Sequence, residues 1–132
     1  MNRTILLIED NEQNRYLATY LLERNGYRVV PAVDGPSGIE AAQRQLPDLI
    51  LLDIQLPGMD GYAVASALRG NASLRDTPII AVTSYAMVGD REKSLEAGCN
   101  GYIEKPINPD TFVSEIRRFD PNDSGGSACA KS

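Results

Sequence analysis

The run Leu49-Ile50-Leu51-Leu52-Asp53 restricts the folds open to this chain more than any other stretch. Four consecutive apolar residues closing on one acid lack the alternation of a half-exposed strand and the length of a buried helix. They fit a strand covered on both faces, as in a parallel sheet. Pro57-Gly58 then turns the chain, and Asp60-Gly61 opens a helix. Asp53 therefore falls at the carboxyl end of a central strand, the edge at which open α/β sheets bind ligands. An acid there serves equally well as a turn former or a helix cap, so its meaning depends on what the other strands bring to the same edge.

The rest of the chain repeats the pattern. Thr4–Ile8 is a buried strand that ends abruptly in Glu9-Asp10-Asn11-Glu12. Asn11 or Asp10 caps a helix to about Asn25, with Leu17, Ala18, Leu21 and Leu22 on one face and Gly26 as its stop. Tyr27–Val30 is a shorter strand that Pro31 confines to an edge. Asp34-Gly35-Pro36 starts a second helix marked by Ile39, Ala42 and Leu46 and stopped by Pro47. The helix from Asp60 to about Leu68 turns Val64, Ala67 and Leu68 inward, and Gly70–Thr77 is a polar loop. Ile79–Val82 is a fourth strand ending in Thr83-Ser84, and a charged fourth helix covers about Ala86–Ala97 and closes at Gly98. Gly101–Ile103 is a fifth strand leading into Glu104-Lys105-Pro106. Asn108 caps and Pro109 begins a fifth helix with Phe112, Val113 and Ile116 inward. Residues 120–132 (DPNDSGGSACAKS) have nothing to bury and read as a disordered tail, leaving one domain over residues 1–119. Five short apolar strands alternating with five helices predict an α/β, doubly wound parallel sheet.

Composition narrows the chemistry. A net charge of −5 argues against a nucleic-acid partner. No apolar run approaches the ~20 residues of a membrane span, and no signal peptide precedes the first strand. Cys99 and Cys129 form no motif and read as reduced thiols of a cytoplasmic protein. Histidine and tryptophan are absent, which removes the commonest general base and transition-metal ligand. Carboxylates, hydroxyls, Lys and Arg remain, and carboxylate and carbonyl oxygens suit Mg²⁺, Mn²⁺ or Ca²⁺ rather than Zn²⁺.

Four strand ends carry polar groups able to do chemistry: Glu9 and Asp10, Asp53, Thr83, and Lys105. In a parallel sheet these ends share one edge. Singly, Asp10 and Thr83 serve as helix caps and Lys105 as a solvated charge. Together they do not: two unit charges ~4 Å apart repel by about 4 kcal/mol at an effective dielectric of about 20, and Lys105 alone cannot neutralise three carboxylates. The cluster calls for a divalent cation, and hard oxygen ligands favour Mg²⁺.

With these motifs assembled, the chain resembles the receiver domain of two-component response regulators, most closely the stand-alone receivers of the cell-division-control type. The resemblance rests on Glu9-Asp10, LLDIQLPGMDGY around Asp53, AVTSYAM with Thr83, and Tyr102 with Lys105-Pro106, and it covers about Thr4–Arg118. It implies a flavodoxin-like sheet of order 2-1-3-4-5. Asp53 would be the carboxylate phosphoacceptor. Asp10, assisted by Glu9, Asp53 and the backbone carbonyl of Gln55, would hold Mg²⁺, with Mn²⁺ able to substitute. Lys105 and Thr83 would contact the phosphoryl oxygens, and Tyr102 would be the switch aromatic that turns inward as Thr83 moves. The Lys105–Pro106 peptide would be cis. Glu9 stands where many members carry Asp. The implied partner is a histidine kinase or a histidine phosphotransfer protein, because this chain has no histidine to hold a donor phosphoryl group. A downstream protein would read the face made by helix four, strand five and helix five. The expected role is a phosphoacceptor switch rather than an enzyme acting on other molecules. A receiver of a hybrid histidine kinase, or a phosphorelay intermediate, is the alternative.

Three rivals fare worse. A phosphatase of the haloacid dehalogenase class needs a second acid two residues after its strand-end Asp, where Gln55 stands here. A flavodoxin-like electron carrier needs a hydroxyl- and Gly-rich first loop, and EDNEQN repels phosphate unless a cation intervenes. A degenerate receiver that only binds partners would have lost part of a residue set that is complete here.

Overall fold

The computed structural model describes residues 3–56, 60–83 and 90–119. The elements follow in strict alternation: β1 (Arg3–Ile8), α1 (Glu12–Arg24), β2 (Tyr27–Ala32), α2 (Gly35–Gln45), β3 (Leu49–Asp53), α3 (Gly61–Arg69), a 3₁₀ turn (Ala72–Leu74), β4 (Ile79–Thr83), α4 (Asp90–Glu96), β5 (Gly101–Glu104) and α5 (Phe112–Phe119). All strand pairs are parallel, in the order β2-β1-β3-β4-β5. Among the described residues no helix is long and apolar enough to cross a membrane.

Alternate residues of each strand enter different cores. Leu6, Ile8, Ile50, Leu52, Ile79 and Ala81 face a cluster with Ala41 and Ala42 of α2 and Val64, Ala65 and Leu68 of α3. Ile5, Leu7, Leu49, Leu51, Ile80 and Val82 face Ala18 and Leu22 of α1 and Phe112, Val113 and Ile116 of α5. This is why β1, β3 and β4 are apolar without alternation: both faces are covered.

Local signals set the boundaries. The Asn11 side chain caps α1 by accepting from the Asn14 N–H at 2.9 Å, and Gly26 ends it at φ +93°. Asp34 and Ser37 form a reciprocal capping box on α2, with Pro36 in its first turn. Gly61 is required by a close approach: a Cβ there would lie 2.4 Å from the Ile54 Cα, where the Gly61 N–H donates to the Ile54 carbonyl at 3.1 Å.

Four expectations need correction. β2 continues through Pro31 to Ala32, because on an edge strand the missing N–H faces outward. Leu46 is 55% exposed: it is the C-cap of α2 at φ +46°, which turns it off the inward face. In α3 the inward alanine is Ala65, and Ala67 is exposed. The fifth helix begins at Phe112 rather than Pro109, because Asn108 caps only a turn, its side chain accepting from the Asp110 N–H at 2.9 Å. Helix four is described over Asp90–Glu96. Its expected first residues, the Pro57-Gly58 turn and the tail from residue 120 lie outside the described residues.

Candidate functional site

Strand register brings the sequence-predicted groups to one place. Ile8 pairs with Leu52, so Glu9 stands level with Asp53. Asp53 pairs with Val82, which sets Thr83 one residue further along β4. Thr83 pairs with Glu104, and the Lys105 N–H donates to the Thr83 carbonyl at 2.7 Å, so Lys105 leaves β5 at the same edge. The Lys105–Pro106 peptide is cis.

The side chains converge as well. Carboxylate oxygens of Glu9, Asp10 and Asp53 lie within 4.8 Å of one another. Glu9 and Asp53 are buried, at 3% and 2% exposure, and Asp10 is exposed. The Lys105 Nζ donates to Asp53 Oδ2 at 3.1 Å and stands 3.3 Å from Glu9 Oε1. The Gln55 N–H donates to Asp53 Oδ1 at 2.9 Å, and the Asn11 N–H to Glu9 Oε2 at 3.2 Å. Burial first, and then the Asp53 carboxylate beside it, push the Glu9 carboxyl up to about 7; Lys105 and the Asn11 N–H pull the other way. Thr83 is buried. Tyr102 is half-buried, packs on the α2–α3 core and lines a cavity of about 390 Å³ with Leu95, Glu104, Glu115, Arg118 and Phe119.

A family model for the response regulator receiver domain matches residues 5–117. This chain belongs to that family. Receivers belong to two-component signalling, and relatives agree at several distances. The polar-differentiation response regulators DivK of Brucella ovis and Brucella suis are 40% identical over 119 residues, covering 90% of this chain and 97% of theirs. The receiver domain of the sensor histidine kinase PA1611 from Pseudomonas aeruginosa, solved with a magnesium ion in its active-site cleft, is 39% identical with a TM-score of 0.83, over 90% of this chain and 98% of that one. Chemotaxis response regulator CheY4 of Vibrio cholerae superposes with a TM-score of 0.86 at 27% identity, over 90% of this chain and 99% of its own.

The receiver's acidic cluster fits a hard divalent cation on its own chemistry. Its side-chain donors are all carboxylate oxygens, two of the three acids are buried, and among the described residues one ammonium serves the group.

One residue of this crevice went unnoticed in the sequence. Arg15 of α1 folds back so that its Nη1 donates to the main-chain carbonyls of Glu9 at 2.9 Å and Asp10 at 3.3 Å. The available signal was a cation one turn into a helix, at the end where the macrodipole disfavours it.

Proposed function

We propose that this receiver accepts a phosphoryl group on Asp53 from a partner's phosphohistidine in a Mg²⁺-dependent reaction, and that the modification switches its protein contacts. The observation that carries this reading is the setting of Asp53. It is a buried carboxylate held by the Gln55 N–H and the Lys105 ammonium, with two further acids within 4.8 Å. In the transfer an Asp53 oxygen attacks phosphorus, the phosphorus–nitrogen bond breaks, and the released imidazole takes up a proton. Glu9, Asp10, Asp53 and the Gln55 carbonyl would hold Mg²⁺, or Mn²⁺ in its place, which when bound neutralises charge on the phosphoryl oxygens. Lys105 would contribute the fixed positive charge of the protein, and the Thr83 hydroxyl would donate to the product. The reaction is the protein's own phosphorylation and dephosphorylation, not turnover of a separate substrate.

The donor is a histidine kinase or a histidine phosphotransfer protein, since the chain contains no histidine. The DivK relatives, spanned over 97% of their length, favour a response regulator over a receiver of a hybrid kinase. For output, the half-buried Tyr102 beside the cavity on the α4–β5–α5 face supports a two-position switch: Thr83 moves toward the phosphoryl group, Tyr102 turns inward, and a downstream partner reads the changed face.

Acetyl phosphate with Mg²⁺ is expected to add one phosphoryl group by intact mass, and Asp53→Asn to abolish it. Full labelling of the Asn variant would sink the assignment. Amide exchange of phosphorylated against unphosphorylated protein should show changes reaching α4, β5 and α5. Changes confined to residues touching Asp53 would rule out the switch.

A further inference from the structure

Glu9, Asp10 and Asp53 are aimed by different means. The Asp53 carboxylate is held by Lys105 and the Gln55 N–H, and that of Glu9 by Lys105 and the Asn11 N–H. The Asp10 carboxylate is exposed and has no hydrogen bond or ion pair with the described residues. The protein therefore fixes only its main chain, which sets the place its rotamers can reach, and that main chain is held from α1. The Glu9 N–H donates to the Ala32 carbonyl of β2 at 2.9 Å, and the next two carbonyls, of Glu9 and Asp10, both accept from Arg15 Nη1. The Arg15 N–H in turn donates to the Asn11 carbonyl at 2.9 Å, so the helix start and the acidic loop form one hydrogen-bonded unit.

Arg15 does this without pairing with an acid among the described residues. Its guanidinium forms no ion pair within 4.0 Å with Glu9 or Asp10, although both follow strand β1 into the loop it covers. A cation at this place would ordinarily seek a carboxylate. Bound to neutral carbonyls instead, it leaves the acids' oxygens open to another cation.

We propose that Arg15 is a positioning residue for the divalent-cation site, holding the Glu9–Asp10 main chain so that the Asp10 carboxylate meets those of Glu9 and Asp53. The proposal rests on the metal-site reading above. It makes a prediction opposite in sign to simple electrostatics: removing a positive charge beside a cation site should tighten binding, whereas loss of positioning weakens it.

The test is titration of the full chain with Mn²⁺ alone, following the free-ion paramagnetic resonance signal, for wild type, Arg15→Met, Arg15→Lys, Asp10→Asn and the Arg15→Met/Asp10→Asn double variant. Arg15→Met is expected to weaken Mn²⁺ binding about tenfold, the scale of losing a partner that orients a ligand. Arg15→Lys should fall between Met and wild type. In the Asp10→Asn background Arg15→Met should change affinity by less than about twofold, because its effect passes through Asp10. Unchanged or tighter binding by Arg15→Met, or an undiminished tenfold loss in the Asp10→Asn background, overturns the proposal. Should Arg15→Met not fold, Arg15→Lys decides: weaker binding than wild type supports the proposal, and wild-type affinity overturns it. A wild type that binds no Mn²⁺, with Asp10→Asn indistinguishable from it, overturns the metal-site reading itself. Failure of the Arg15 variants alone leaves that reading standing.

Discussion

At the amino ends of β4 and β5 one cation meets many neutral acceptors; at the carboxyl ends of β1 and β3 one cation meets several acids. Arg69, the last residue of α3, donates to the carbonyls of Leu74 at 2.8 Å, Arg75 at 3.0 Å, Thr77 at 2.9 Å and Gly98 at 2.8 Å, and to the Asn100 Oδ1 at 2.8 Å. That same Asn100 oxygen accepts the Ile79 N–H at 2.9 Å. The loops entering β4 and β5 are thus tied to α3 through one guanidinium whose donors are shared among oxygens without formal charge. At the other edge Lys105 serves Asp53 and Glu9, with Asp10 close by. If all three acids ionise, two negative charges are left without an ion-pair partner among the described residues, since Arg15 beside them is bound to main-chain carbonyls. The first arrangement is satisfied within the protein and stabilises it. The second is unfavourable until something positive arrives, and that is what makes it a site rather than a structural network.

The largest effect should come from breaking the satisfied end. Arg69→Met removes every donor of this hub and leaves partly buried carbonyls unpaired, at a cost of about 2–4 kcal/mol in chemical denaturation. Mg²⁺ binding, read at the far edge, should be nearly unchanged. A loss below about 1 kcal/mol would show that water replaces the guanidinium easily, and the contrast between the two ends would blur.

A smaller effect is expected from titrating the unsatisfied end. The Glu9 carboxyl is raised from about 4.5 to about 7 on folding. A raised carboxyl binds more protons folded than unfolded, so its contribution is fully present below about pH 4.5 and is lost as pH rises through 7. Metal-free wild type should therefore lose on the order of 3 kcal/mol across this window. Glu9→Gln should flatten that slope, and Mg²⁺ should bind more tightly as Glu9 deprotonates. An identical slope in the Gln variant would remove Glu9 as the source.

The two ends also differ in how they show in the sequence. The acidic edge was legible because Glu9, Asp53 and Thr83 each terminate an apolar run, so the strand pattern alone places them side by side. Lys105 was legible for the same reason, and the roles of all four came with the family resemblance. The Arg69 hub was not legible, because its acceptors are chiefly main-chain carbonyls 5, 6, 8 and 29 residues away, which any residue type supplies. Arg15 was missed for the same reason. Asn108-Pro109 misled because a side-chain-capped turn and a helix start share their residue preferences. In α3, Ala65 and Ala67 are chemically identical, so only packing against β3 decides which one is buried.

With three acids around one ammonium among the described residues, the carboxyl edge should be held in repulsion that a cation relieves. The most direct measurement is the melting temperature of wild type and Asp53→Asn, each without metal and in millimolar Mg²⁺. Without metal, Asp53→Asn should be the more stable by about 1 kcal/mol, or roughly 3–6 °C, because one of the crowded carboxylates is gone. Mg²⁺ should raise the wild type and close much of that gap, since the unfolded chain holds no such site, while the Asn variant, short of a ligand, responds less. A wild type indifferent to Mg²⁺, together with an Asp53→Asn variant that melts no higher, would contradict the account.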